Sequence, residues 1–321
     1  MKKHLIALAV AAAVAAPAAM ADTTLYGLAN LSLDYIDNGV DSDMNVASGS
    51  SRLGVKGTEK LSGGLSAVYQ MEFGVDMADS TTLGARNQFV GLTGGFGTLV
   101  MGRHDTPLKM TIGKYDLFGD QIGDNGNATT LSTKVQNLRA PNVVAYMLPK
   151  MGGFNGAVAY VADPTGDNSD NNDLQAYNIQ LGYEHKMFSI DGAYQNVNVA
   201  VGDDIITYAL GAGVKFGGFK VNALYLNEND AGADESVYGL GAAYTFGKNT
   251  VKGQYYAQDE ADRAMFALGY DFAMSKQTTL FAAYASGEKA LSVWGDGHGG
   301  KTSTHSGEDT SAFSVGIKHK F

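Results

Sequence analysis

The stretch Val237–Phe246, VYGLGAAYTF, alternates between two kinds of side chain. One face is apolar and has aromatic residues at both ends, whereas the other face is small and mostly wettable. Because successive side chains of a β-strand point to opposite faces, this stretch predicts a strand that separates two environments. An arginine at Gly241 is then expected to point to the wettable side and to cost far less stability than an arginine at Leu240. The apolar face consists of Tyr238, Leu240, Ala242, Tyr244 and Phe246.

The same period of two recurs along the chain, in segments that begin at Leu65, Tyr177, Ile206, Phe266 and Phe313. In many of them Tyr or Phe stands at the ends of the apolar face, where a lipid-facing strand meets the two membrane interfaces. A sandwich core would more often hold its large aromatics in mid-strand. The pattern therefore favours a membrane β-barrel, and a soluble periplasmic β-sandwich used for binding or adhesion is the alternative from another class.

Short turns alternate with long polar loops, as expected when one rim of a barrel faces the periplasm and the other the exterior. The long loops cover residues 37–49, 76–84, 163–173, 227–235 and 287–308. We predict an all-β fold: a transmembrane antiparallel β-barrel of about 16 strands, with 18 as the alternative count. The strands start near residues 23, 50, 64, 85, 97, 137, 154, 174, 187, 204, 218, 236, 249, 263, 277 and 310.

Residues 1–21 have the pattern of an export signal. Lys2 and Lys3 precede a short apolar run, and Ala19–Ala21 is a small-residue cleavage site. We predict a signal peptide over 1–21 and a barrel over 22–321. Without the two lysines, 21 basic side chains remain against 33 acidic ones, a formal charge of −12. Because charge lining a low-dielectric channel concentrates counter-ions, this balance predicts a cation preference.

Composition narrows the function. There is no cysteine, which excludes a disulfide framework and a zinc–thiolate site, and an acidic chain without a basic stripe is a poor nucleic-acid binder. No G-x-S-x-G elbow or H-E-x-x-H pair is present. We therefore predict no enzymatic activity, no cofactor and no metal. The acidic loop 163–173 lacks the spacing of a calcium loop, so a solvated external loop is the preferred interpretation.

The connection 106–136 is unusually long and has no strand pattern. Structureless loops of this length are usually functional or disordered. Its segment Tyr115–Asp120, YDLFGD, offers aromatic and aliphatic groups that could anchor it against another surface. The alternative is a mobile surface loop.

The chain resembles the general porins of Gram-negative outer membranes over all of 22–321. Each matching segment is short, but their order and spacing together are fairly specific. The segments are Thr24–Gly27, Ser51–Gly57, Ala85–Leu92, Gly102–Arg103, Asn137–Arg139 and the terminal Phe321.

The resemblance implies a homotrimer of sixteen-stranded barrels in which the 106–136 loop folds inward and narrows the pore. It also implies a basic cluster on the wall that faces acidic residues on the loop. For Arg103, a role in the pore and a structural pairing with Asp76 or Asp79 are alternatives. The implied basic wall is Arg52, Arg86 and Arg139, with Lys56 on the same face as Arg52, and the implied loop acids are Asp116, Asp120 and Asp124.

The predicted function is passive diffusion of small hydrophilic solutes and ions through a water-filled pore. Its partners are the outer-membrane lipid and lipopolysaccharide, the other subunits and the solutes. A substrate-specific channel of the same fold is the main alternative. It would need a dedicated track, such as an aromatic ladder for sugars or a row of lysines for phosphate, and the sequence displays neither.

Overall fold

The computed structural model describes residues 22–79, 82–131, 133–162, 175–199, 203–230, 233–294 and 307–321. The predicted signal peptide 1–21 and the acidic loop 163–173 lie outside these ranges. No helix in the described ranges is long and apolar enough to cross a membrane.

All strands belong to one antiparallel sheet that closes on itself. The first strand pairs with the last, and Gly27 and Phe321 exchange backbone hydrogen bonds of 2.9 and 3.2 Å. Closure leaves no free edge. A sheet that spans a membrane needs this, because lipid offers no hydrogen-bond partners to the backbone groups of an open edge. The strands are β1 (Thr24–Asp37), β2a (Ser42–Ser48) and β2b (Arg52–Lys60), β3 (Ser66–Val75), β4 (Leu83–Gly94), β5 (Gly97–Asp105), β6 (Arg139–Met147), β7 (Phe154–Val161), β8 (Ala176–Glu184), β9 (Phe188–Val197), β10 (Ile205–Phe216), β11 (Phe219–Asp230), β12 (Ala233–Phe246), β13 (Asn249–Gln258), β14 (Arg263–Ala273), β15 (Thr278–Gly287) and β16 (Thr310–Lys320).

β2a and β2b together form one wall strand. β2a pairs with the second half of β1 and β2b with its first half, and the interruption falls at Ser50, whose φ is +51°. The barrel therefore has sixteen strands, as predicted, and not eighteen. The predicted loop 37–49 is wrong in its second part, because Ser42–Ser48 form β2a and pair with β1 in the wall.

The outward face is the lipid-facing face. Leu240, Leu210 and Leu181 are each about 60% exposed, and aromatic side chains flank this apolar band at both ends. Tyr194 packs on Tyr208 near the rim of the long loops, with ring centroids 5.3 Å apart. Near the short turns lie the stacked rings of Phe216, Phe219 and Tyr244. These two girdles match the two interfaces of a bilayer.

The 106–136 loop lies inside the barrel. It contains two short helices, α1 (Pro107–Lys114) and α2 (Asn125–Thr129). Tyr115, Phe118 and Ile122 are buried in one cluster with lumen-facing residues of the wall. The alternative of a mobile surface loop is therefore wrong.

Candidate functional site: the lumen and its inward loop

The loop is fixed at both ends of α1. At its N-terminus, the Thr106 side chain caps the helix by accepting a hydrogen bond from the Lys109 amide at 3.3 Å. Pro107 follows in the first turn, where a backbone N–H has no partner within the helix. At the other end, Lys114 Nζ lies 2.6 Å from Asp191 Oδ2, and the Tyr115 hydroxyl donates to the same oxygen. Asp191 is buried on β9, so its charge is compensated by the loop.

The middle of the loop is held by polar side chains of the facing wall. Gln254 on β13 accepts from the Leu117 amide at 3.0 Å and donates to the Gly123 carbonyl at 2.7 Å. Two lysines extend the attachment, since Lys252 donates to Gln121 at 2.7 Å and Lys318 to the Gly119 carbonyl at 2.6 Å. The position of the loop is therefore determined by hydrogen bonds along most of its length. Asn222 on β11 adds one more, to the Tyr115 carbonyl at 3.1 Å.

The wall provides space for the loop through glycines on its lumen face. A Cβ on Gly241 would lie 2.9 Å from Leu117 Cδ1, and one on Gly269 would lie 2.7 Å from the Phe118 ring. Both distances are shorter than ordinary van der Waals contact. Gly241 therefore faces the lumen, as predicted, but Leu117 occupies the space that a larger side chain would enter first.

The tip of the loop reaches the opposite wall. Asp120, in a left-handed conformation with φ +62°, places Oδ2 at 3.1 Å from Arg52 Nη2. Asn30 on β1 donates to the Asp120 carbonyl at 2.6 Å. Arg52 and Asp120 were expected to face each other across the pore, but the structure joins them in a direct ion pair.

The other predicted arginines pair with acids that the sequence did not single out. Arg86 Nε lies 2.6 Å from Glu72 Oε1, and Arg139 Nε lies 2.9 Å from Asp105 Oδ1. Glu72 stands at a lumen-facing position of its predicted strand, so strand parity was the signal that could have found it. Asp105 directly precedes the loop and had no such signal. The two arginines border an open recess of about 370 Å³ on the side of the long loops.

Lys56 and the remaining loop acids are placed differently. Lys56 is exposed in the lumen, with its ammonium 4.9 Å from the Tyr26 ring centroid. Asp116 accepts from the Phe118 amide and from Gln254, and Asp124 caps α2 by accepting the Gly126 amide at 2.7 Å. These two carboxylates organise the loop internally, and neither is paired with a wall arginine in the described structure.

Burial affects the charge state of both loop acids. Burial, together with the nearby Asp116 carboxylate, raises the pKa of Asp124 well above its usual range. Burial also raises the pKa of Asp116, although hydrogen bonds from the Phe118 amide and Gln254 oppose the rise.

A second inward segment braces the first. Leu291, Val293 and Trp294, from the last long loop, are buried in the same cluster as the 106–136 loop. The Gly123 amide donates to the Val293 carbonyl at 2.7 Å. The sequence placed 287–308 in an external loop and did not indicate this contact.

Charge is distributed unequally along the barrel. The long-loop rim is acidic, and its described acids include Asp37, Asp41, Asp43, Asp76, Asp203, Asp204, Asp259, Glu260, Asp262, Glu288, Glu308 and Asp309. Basic groups dominate the lumen on the side of the short turns. This distribution does not support a cation preference derived from net charge, because much of the negative charge stands outside the lumen wall. The basic groups there are Lys56, Lys114, Lys215, Lys220, Lys252, Lys318 and Lys320.

A closed barrel with aromatic girdles, a polar lumen and a loop folded inside is the architecture of an outer-membrane channel. Residues 7–289 match the family model described as Gram-negative porin. The chain is 31% identical to outer membrane porin protein 32 of Delftia acidovorans, over 100% of both proteins. It is also 31% identical to the major outer membrane protein P.IB of Neisseria gonorrhoeae, over 90% of this chain and 95% of that protein. The chain belongs to the Gram-negative porin family and is a protein of the outer membrane.

Solved structures agree with this assignment. An anion-selective porin from Comamonas acidovorans superposes with a TM-score of 0.78 at 26% identity, over 94% of this chain and 99% of that one. The trimer form of OmpT from Vibrio cholerae superposes with a TM-score of 0.71 at 17% identity, over 93% and 99% of the two chains. The second likeness is one of fold alone. Porins are channels, so the prediction of a channel and not an enzyme agrees with the relatives.

Proposed function

We propose that this porin is a general diffusion channel that prefers anions, and that its constriction lies between the inward loop and the wall that carries Arg52, Arg86 and Arg139. The observation that carries the proposal is the excess of basic groups in the lumen on the side of the short turns. Each of these arginines has one acidic partner. Nearer the short turns, Lys56, Lys215 and Lys220 have no carboxylate at ion-pair distance among the described residues. Fixed charge inside a narrow, low-dielectric channel acts on a passing ion more strongly than charge on solvated loops does.

The roles at the constriction follow from these contacts. The three arginines and Lys56 line the basic side, and Asp120 is the loop acid that faces the solute path. Asp116 and Asp124 set the shape of the loop. The similar structure from Comamonas acidovorans is that of an anion-selective porin, and this likeness supports the same sign of selectivity here.

Reversal potential in a salt gradient across a planar bilayer tests the proposal. At 0.1 M salt, where screening extends about 10 Å, the potential should have the sign of anion flow. Arg86→Gln with Arg139→Gln should move it toward cations. A cation-signed potential in the unmodified protein would contradict the anion preference, and absence of any channel current would contradict the channel function.

We also propose a homotrimer embedded in outer-membrane lipid and lipopolysaccharide. The apolar outer band and the family resemblance support this assembly. Cross-linking of the detergent-extracted protein should give a trimer, and a product that remains monomeric under all mild detergents would contradict it.

A further inference from the structure

Lys215 and Lys220 lie directly opposite each other on the lumen face of β10 and β11. Like charges in such a cross-strand pair destabilise a sheet. The same register row continues through Ala243 to Lys252, and Lys252 is compensated by Asp271 at 2.9 Å. Within the described part of the chain, no carboxylate lies within ion-pair distance of Lys215 or Lys220.

These two lysines border a recess in the wall on the side of the short turns, which Lys114 of the loop also lines. Glu184 is the acid on its rim, and Asp191 is already engaged by Lys114 and the Tyr115 hydroxyl. The recess therefore carries a surplus of positive charge. Neutral donors complete its lining, because Asn222 and Ser189 face the same space.

The size of the recess limits what it can hold. Its volume is about 50 Å³. A single water needs roughly 10–15 Å³ by this kind of measure, so the space suits a few waters or one small ion with several oxygens. Ammonium and amide donors from separate strands can each serve a different oxygen, which favours a multidentate anion over a halide.

We propose that the Lys215–Lys220 recess is a binding site for a small oxyanion, such as inorganic phosphate or a short carboxylate. An anion bound there offsets the repulsion between the two lysines and lies beside the periplasmic exit of the lumen. The lining groups face the lumen, so the ligand arrives as a free solute and not as a lipid headgroup. The site adds a binding step to the proposed anion preference. It rests on the proposed channel function only because the anion reaches the recess through the lumen.

Little in the sequence indicated this site. Lys215 and Lys220 lie opposite each other only through the register of β10 and β11, which the sequence alone does not display. Lys252 shares their register row but lies on β13, with Ala243 of β12 between.

Thermal unfolding of the purified protein in lipid-free detergent tests binding without any need for conduction. Phosphate should raise the unfolding temperature relative to chloride at equal ionic strength, and the rise should grow with phosphate concentration. Lys215→Gln with Lys220→Gln should abolish the rise. Lys248→Gln with Lys276→Gln is the matched control, since these lysines lie on exposed turns at the same rim, and it should retain the full rise.

A bilayer recording gives the second readout. Phosphate added on the periplasmic side should reduce chloride conductance in a saturable manner, and the double Lys215/Lys220 variant should lose this block. Equal stabilisation by phosphate in the unmodified protein and the double variant, or none in the unmodified protein, would overturn the site. A protein that phosphate stabilises but that passes no current would contradict the channel function alone.

Discussion

The Tyr115 ring occupies the space that a side chain on Gly211 would need. A Cβ built on this β10 glycine would fall inside the contact distance of the ring atoms, so only glycine allows the ring to lie flat against the wall. Tyr115 also donates to buried Asp191 and receives a hydrogen bond from Asn222 on its carbonyl. The absence of a side chain at Gly211 therefore determines where the C-terminal end of α1 packs against the wall.

Gly211→Ala should displace Tyr115 and loosen the inward loop. Overpacking of a fitted contact costs about 1–3 kcal/mol. We expect lower stability to denaturant and a larger, noisier single-channel conductance. Gly192→Ala is the control, because its Cβ would face outward at an ordinary 3.4 Å from Leu210. Similar conductance in the two variants would show that Tyr115 does not position the loop.

Asp120→Asn should shift the reversal potential further toward anions, whereas Asp116→Asn should shift it much less. The first change leaves Arg52 without its 3.1 Å partner, at the wall that we propose borders the solute path. The second removes a carboxylate that lies between the loop and Gln254. Salt gradients at low and molar ionic strength provide the measurement, and both shifts should shrink at 1 M, where screening extends about 3 Å. Shifts of equal size would place both carboxylates in the ion path.

Asp124 should stabilise the closed loop more in acid than at neutral pH. Its pKa is raised in the folded loop, so the folded loop binds its proton more readily than a displaced, solvated loop does. The contribution of Asp124 to stability is then greatest below the ordinary Asp pKa and is lost as pH rises through the raised pKa. Hydrogen exchange within 106–136, corrected for intrinsic rates, should slow on acidification. Asp124→Asn keeps the cap on α2 and should flatten this dependence, and an unchanged slope would rule out Asp124 as its source.

Leu240→Arg should destabilise the barrel by about 2–4 kcal/mol, the cost of an arginine at the lipid midplane. Leu240 is 59% exposed on the outward face of β12. Thr245→Arg, on the same strand but facing the exposed lumen end, should cost far less. Unfolding in lipid vesicles measures both changes. A Thr245→Arg variant as unstable as Leu240→Arg would mean that the two faces are assigned in reverse.

Strand positions were predictable because every strand contributes its own local pattern. The segment from Val237 to Phe246 contains enough alternation to identify a lipid face, and the glycine-containing turns mark the rims. Contacts across the lumen were less accessible. The alternation predicts Gly241 as a wall position facing water, and only the structure of the inward loop shows that Leu117 packs against it.

The site was predictable in its residue types but not in its pairings. The arginines came from the porin resemblance, and the structure joins Arg52 to the expected Asp120. Arg86 and Arg139 instead use Glu72 and Asp105, which lie on the wall itself. Net charge is a weak indication of selectivity, because a sum over the chain does not separate solvated loops from the lumen.

The pairing of β1 with β16 has a consequence for how the barrel forms. Its two strands come from opposite ends of the chain, so this seam has the longest sequence separation of all the strand pairs. Loop-closure entropy opposes such a contact until the hairpins between have assembled, and high contact order slows folding. The seam should therefore be the last pairing to form. An intermediate that waits for it exposes two unpaired strand edges, which makes this stage the one most open to aggregation and proteolysis.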